Sequence, residues 1–146
     1  MPWKIKTLLV ITYFSSIYII NKINIPINEE FRKKIDYDNS LTSLACSIEK
    51  YFNITPKHKT HSYIDKILNE KKPENVILFL IDGLGSKTLD KILNKNDYLI
   101  KNKKSDIFTV YPPTTATCLN SIKTGLNPSE HGWLGWTSYV EPINKI

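Results

Sequence analysis

The 146-residue chain has little cysteine and no run of charge of one sign dense enough to make a binding face. Its two cysteines, Cys46 and Cys118, are far apart, which excludes a Cys-x-x-Cys zinc or redox pair and a disulfide framework. Both are expected to be small apolar core residues in a reducing compartment. The formal net charge of +6 sits mostly in residues 1–73, with 12 Lys/Arg against 7 Asp/Glu, while residues 74–146 carry 8 against 7. No Lys/Arg stripe with interleaved aromatics is present, so nucleic acid is not expected as a specific partner. There is no Gly-x-x-x-x-Gly-Lys phosphate loop, no Gly-x-Ser-x-Gly elbow, no His-Glu-x-x-His and no Cys-x-Pro-x-Arg segment. Repeats and low-complexity tracts are also missing. With 41% hydrophobic and 11% aromatic residues, the chain can bury a core of ordinary domain size.

The uncharged run from Thr7 to Asn21 is shorter than the ~20 residues of a membrane-spanning helix. It has a basic head, Lys4 and Lys6, and an apolar middle, but no small-x-small cleavage site follows. An uncleaved signal anchor, a segment packed on the protein and an extension that does not fold all fit it. Membrane association through residues 7–21 is one of these open readings, with Lys22, Arg32, Lys33 and Lys34 adding a basic flank to it. The expected location is cytoplasmic, with membrane anchoring through this segment as the alternative. Residues 1–37 are read as an apolar segment plus linker, and residues 38–146 as the folded unit.

Within that unit, Asp38-Asn39-Ser40 offers helix N-caps ahead of Leu41, Leu44, Ala45, Ile48 and Phe52, which predicts an amphipathic helix over about 40–52. Ile64, Ile67 and Leu68 mark a second helix ending at Lys71-Lys72, with Pro73 beyond. Val76-Ile-Leu-Phe-Leu-Ile81 is continuously apolar and predicts a strand covered on both faces. A helix over about 86–95, a strand over 107–111 and a helix from Thr115 to Thr124, stopped by Gly125, complete an alternating α/β pattern. Right-handed crossovers would then join a parallel sheet.

Two positions in this pattern can carry chemistry. In open α/β sheets, ligands gather outside the carboxyl ends of strands. Asp82 follows the apolar strand directly, where a partly desolvated carboxylate would need a partner such as a divalent cation, or would cap the next helix. Thr114, Thr115 and Thr117 fall at a helix start after Pro112-Pro113, where exposed N–H groups favour phosphate. They are also ordinary capping residues. A threonine hydroxyl becomes a nucleophile only when a base or metal activates it. If the two strands are neighbours, Asp82 and Thr115 share one rim.

Val76 to Gly85, Tyr111-Pro-Pro-Thr-Thr-Ala-Thr117, Thr124-Gly-Leu-Asn-Pro128 and Glu130-His-Gly132 together resemble the alkaline phosphatase superfamily, and within it the type I phosphodiesterase/nucleotide pyrophosphatase family. The resemblance covers about residues 76–136. It implies an alkaline phosphatase-like three-layer sandwich with a mostly parallel central sheet, present as an incomplete N-terminal portion. It implies a hydrolase of phosphate mono- or diesters, a phosphate-ester small molecule as substrate, and two divalent metal ions, usually zinc. By resemblance Asp82 is a metal ligand, and Thr115 is the nucleophile and a ligand of the same metal. The family's other Asp and His ligands lie further along and have no counterparts here, leaving at most one partial metal site. His131 matches a loop histidine that is not usually a ligand; His58 and His61 are expected on the surface. Ala116 stands where eukaryotic nucleotide-cleaving members carry an aromatic residue, and Trp136 where a phosphate-contacting asparagine would align. Both departures favour a general phosphoesterase over a nucleotide pyrophosphatase as such. Thr114 and Trp136 are assigned to substrate binding, and Trp133 with Trp136 either lines a pocket or packs in a hairpin. The alternative function is a catalytically incomplete fragment that acts only in binding or at a membrane surface.

Overall fold

The computed structural model describes residues 7–13 and 36–137. Two strands and six helices follow one another: β1 (Thr7–Tyr13), α1 (Leu41–Tyr51), α2 (Ser62–Lys71), β2 (Asn75–Ile81), α3 (Ser86–Ile92), α4 (Tyr98–Asn102), α5 (Thr115–Thr124) and α6 (Pro128–His131). A single 3₁₀ turn, Tyr37–Asn39, leads into α1. β1 and β2 pair in parallel, from Thr7 opposite Asn75 to Tyr13 opposite Ile81. The described residues thus form a mixed helix-and-strand unit.

The β1 strand corrects the expected localisation. Part of the apolar run expected to anchor the chain is a sheet strand, and among the described residues no helix is long and apolar enough to cross a membrane. Neither the cytoplasmic assignment nor its membrane-anchored alternative is retained. The rest of the run and most of the expected linker lie outside the described residues.

Local chemistry explains why the first helix begins where it does. Ser40 Oγ accepts from the Thr42 amide at 3.2 Å, and the Ser40 amide donates to Ser43 Oγ at 2.9 Å. This reciprocal box satisfies donors that a helix start otherwise leaves unpaired. α1 then buries Leu41 and Leu44 in a core with Val110 and Cys118, against which Ile48, Ile64, Leu78, Leu80 and Ile122 pack. Each fully buried leucine contributes roughly 1.5–3 kcal/mol of burial. α1 packs on α5, whose buried Ala116, Thr117, Cys118 and Ser121 are all small.

Two strand expectations are corrected. β2 is not covered on both faces: Leu78 and Leu80 meet the core, whereas Ile77 and Phe79 are 44% and 50% exposed. The apolar run therefore behaves as a strand with one covered face among the described residues. Residues 107–111 form no strand there. The Phe108 backbone instead completes the entry to α1, its N–H donating to Asn39 O at 2.8 Å and its C=O accepting from Leu41 N at 3.1 Å. The expected 86–95 helix ends at Ile92, and a further short helix, α4, follows it.

Candidate functional site

Asp82 is the first residue after β2, and Gly83, at φ +71°, turns the chain away behind it. Only glycine takes that left-handed conformation without strain. The carboxylate is therefore held at the tip of the strand. It is exposed, which corrects the expected desolvation: burial alone does not oblige Asp82 to bind a cation.

Thr115 is the first residue of α5. Thr114 is the cap, its Oγ1 accepting from Thr117 N at 3.2 Å and lying 2.7 Å from Thr117 Oγ1. Because Thr114 does the capping, the Thr115 hydroxyl is released from it. That hydroxyl donates to Asp82 Oδ2 at 3.1 Å, across 33 residues of sequence. The expected juxtaposition is present, although its expected cause, two adjacent strands, is not. Val110, buried in the core just before the two prolines, brings the chain to the same rim.

The remaining sequence-selected residues are arranged less tightly. Trp136 is 74% exposed and Trp133 46%. Thr114 Oγ1 also reaches Leu134 O at 3.4 Å, so the segment carrying the tryptophans lies against the start of α5. His61 is not a surface residue. It is buried, its Nδ1 accepts from Ile64 N at 3.4 Å to cap α2, and its Nε2 meets Asn39 Oδ1 at 2.8 Å. Burial pushes its imidazole below the ordinary histidine value. His58 pairs with Glu130 at 2.6 Å, tying the Asn53–Thr60 loop to α6.

Sequence reasoning missed one pair altogether. Ser121 Oγ, fully buried on α5, lies 3.0 Å from His131 Nε2. No short motif links positions ten apart in this way. Cys118, beside them on α5, has its thiol pushed up by burial, so it is an unreactive core group, as expected.

Zinc holds oxygen ligands at about 2.0 Å in a tetrahedron, which sets two of them about 3.3 Å apart. The Asp82–Thr115 spacing fits such a pair. A closed site takes four ligands. Among the described residues, no group of three His, Cys, Asp or Glu side chains is placed to hold a metal. The pair therefore fits one side of one cation's shell, and the described residues do not make a two-metal centre.

The type I phosphodiesterase / nucleotide pyrophosphatase family model matches residues 76–145, just under half of the chain. The resemblance read from the sequence is borne out over that stretch, which contains both Asp82 and Thr115. The match supports a hydrolase of that family, whose substrates are phosphate esters. No curated relative and no solved structure matches the chain.

Proposed function

We propose that the chain carries the nucleophile half of a metal-dependent hydrolase of phosphate mono- or diesters, built on an alkaline phosphatase-like sandwich, with Thr115 as the nucleophile. The observation that supports this reading is the 3.1 Å contact from Thr115 Oγ1 to Asp82 Oδ2 at the start of a helix. The contact turns the hydroxyl proton toward the carboxylate and leaves the oxygen lone pairs free for attack. Thr115 Oγ would form a bond to phosphorus as the bond to the leaving oxygen breaks, and water would later cleave the phosphothreonine. The Thr115 amide, in the first turn of α5, has no intrahelical partner and can donate to a phosphoryl oxygen. Asp82 and Thr115 are the residues that would hold a divalent cation, zinc being the expected one. When bound, it would lower the hydroxyl pKa and offset negative charge on the ester.

Thr114, the neighbour of Thr115 in the chain, and Trp136 are assigned to the substrate. The test is hydrolysis of p-nitrophenyl phosphate mono- and diesters with added zinc. Turnover is expected from a longer form of the protein that supplies the remaining metal ligands, and is expected to disappear there in Thr115→Ala; a Thr115→Ala protein that hydrolyses as fast as its parent would refute the assignment.

One observation favours a second reading, a binding protein without turnover: the shortage of metal-ligating neighbours around Asp82 among the described residues. Calorimetric zinc titration separates the two. Saturable binding abolished by Asp82→Ala supports the hydrolase, and no heat of binding supports the second reading.

A further inference from the structure

Ser121 and His131 have the look of a nucleophile and its base, but their hydrogen bonds run the wrong way. The Trp133 amide donates to His131 Nδ1 at 3.0 Å. Nδ1 must therefore be unprotonated, and in the neutral ring the proton resides on Nε2. Nε2–H then donates to Ser121 Oγ at 3.0 Å. A ring in that tautomer cannot accept the serine proton, and a serine at 0% exposure cannot meet a substrate.

What the imidazole does is join two pieces of chain. One nitrogen grips α5 through Ser121, and the other grips the segment that follows α6. Gly132, at φ +69°, reverses the chain so that the Trp133 amide returns to the ring two residues back. One residue further, Leu134 O receives the Thr114 hydroxyl, whose oxygen also caps the Thr117 amide. A closed loop of contacts results: Ser121, His131, Trp133, Leu134, Thr114 and back along α5. Thr115 sits inside it, next to Thr114.

We propose that His131 is a positioning residue for Thr115, acting through Ser121 on one side and through the Trp133–Leu134 segment and Thr114 on the other. The proposal rests on the reading of Thr115 as the nucleophile and assigns the part that holds it in place. Charging the ring would put a proton on Nδ1 against the Trp133 amide and open that side of the loop of contacts. The charged group facing the ring is Glu130, on α6 itself, whose carboxylate is held by the Asn127 amide and by His58 from the Asn53–Thr60 loop. The group met on α5 is Ser121, which is neutral.

The test is nuclear magnetic resonance of the whole isotope-labelled chain. At neutral pH the His131 ring is expected to show the Nε2–H tautomer. As pH falls, the Thr114, Thr115 and Thr117 amide signals are expected to shift with the same midpoint as the ring. His131→Asn keeps an acceptor for the Trp133 amide, and His131→Gln keeps a donor toward Ser121. Each breaks one of the two ties, so each is expected to shift the Thr114–Thr117 signals while those of Leu41–Ser47 in α1 stay fixed. An Nδ1–H tautomer, or Thr114–Thr117 signals indifferent to the ring's titration, would overturn the proposal, and the titration needs no variant to fold. Turnover by Thr115→Ala tests the nucleophile separately, so failure of one reading is not mistaken for failure of the other.

Discussion

Gly125 and Glu49 meet across the packed α1 and α5 helices: a β-carbon on the glycine would stand 2.8 Å from Glu49 Oε2. The glycine ends α5 in the left-handed region, at φ +63°, and its carbonyl accepts from the Cys46 thiol at 3.5 Å. Two separable penalties are expected on Gly125→Ala. Backbone strain costs about 1–2 kcal/mol for an alanine in that conformation. The contact with Glu49 adds less, because the far end of a flexible side chain can move. Urea unfolding is expected to register the loss in Gly125→Ala. The Glu49→Ala, Gly125→Ala double variant should recover only the smaller, steric part. Full recovery would mean that the left-handed backbone carries no penalty here.

Leu44 is fully buried between Leu41, Val110 and Cys118. Its truncation to alanine removes burial and leaves a cavity, which costs roughly 2–5 kcal/mol in well-packed cores. A core assembled largely from one helix and a few residues of others has little spare stability. Leu44→Ala is therefore expected to be partly or wholly unfolded at 25 °C by circular dichroism, whereas Ile77→Ala, on the exposed face of β2, is expected to change the midpoint little. Equal losses at the two positions would contradict the one-sided burial of β2.

These stability expectations follow from features of unequal legibility in the sequence. α1, α2 and α5 were readable because caps and apolar spacing agree: Ser40 before Leu41, and Thr114 before a helix closed by Gly125. The strand at 107–111 was misread because its apolar residues serve the core through Val110, while Phe108 gives its backbone to the start of α1. The Thr7–Tyr13 strand was hidden in an uncharged run whose composition fits a membrane, a helix or a sheet equally. At the site, Asp82 and Thr115 were legible as a chain end and a helix start. His61 and His131 were not, because a histidine's role depends on which partners the fold brings to its two nitrogens.

His61 gives a pH prediction with a definite sign. Burial lowers its folded value from the ordinary 6.5, and His131 is lowered for the same reason. The folded state favours the neutral rings, so their contribution is complete above the unfolded value. It is lost as pH falls through the folded values. Stability is expected to decline as pH falls below about 6.5, before carboxylates such as Asp65 protonate; burial opposes Asp65 ionisation, but hydrogen bonds from Lys50, Thr60 and Ser47 outweigh it and hold it low. Urea midpoints taken at intervals through that window check the decline. In His61→Ser, which keeps a capping hydroxyl but cannot titrate, the slope is expected to flatten. An unchanged slope would show that burial of His61 does not control its protonation.

The adjacent threonines 114 and 115 have opposite expected phenotypes. Thr114 closes the first turn of α5 by accepting from Thr117 N, and removing such a cap costs about 0.5–2 kcal/mol. Thr115 makes no capping bond, and its hydroxyl contact is with Asp82, which is exposed. An isolated exposed contact of that kind contributes little to folding, because water replaces it at small cost. Thr114→Ala is therefore expected to lower the urea midpoint, with hydrolysis weakened but not lost as the start of α5 loosens and the assigned substrate contact goes. Thr115→Ala is expected to keep the parent midpoint and lose hydrolysis of the nitrophenyl esters. Thr115→Ser, which retains a hydroxyl at the same position, is expected to restore part of the turnover. A Thr115→Ala protein that is inactive but also strongly destabilised would move Thr115 from chemistry to structure, and the contact with Asp82 would then be read as a clasp between β2 and α5.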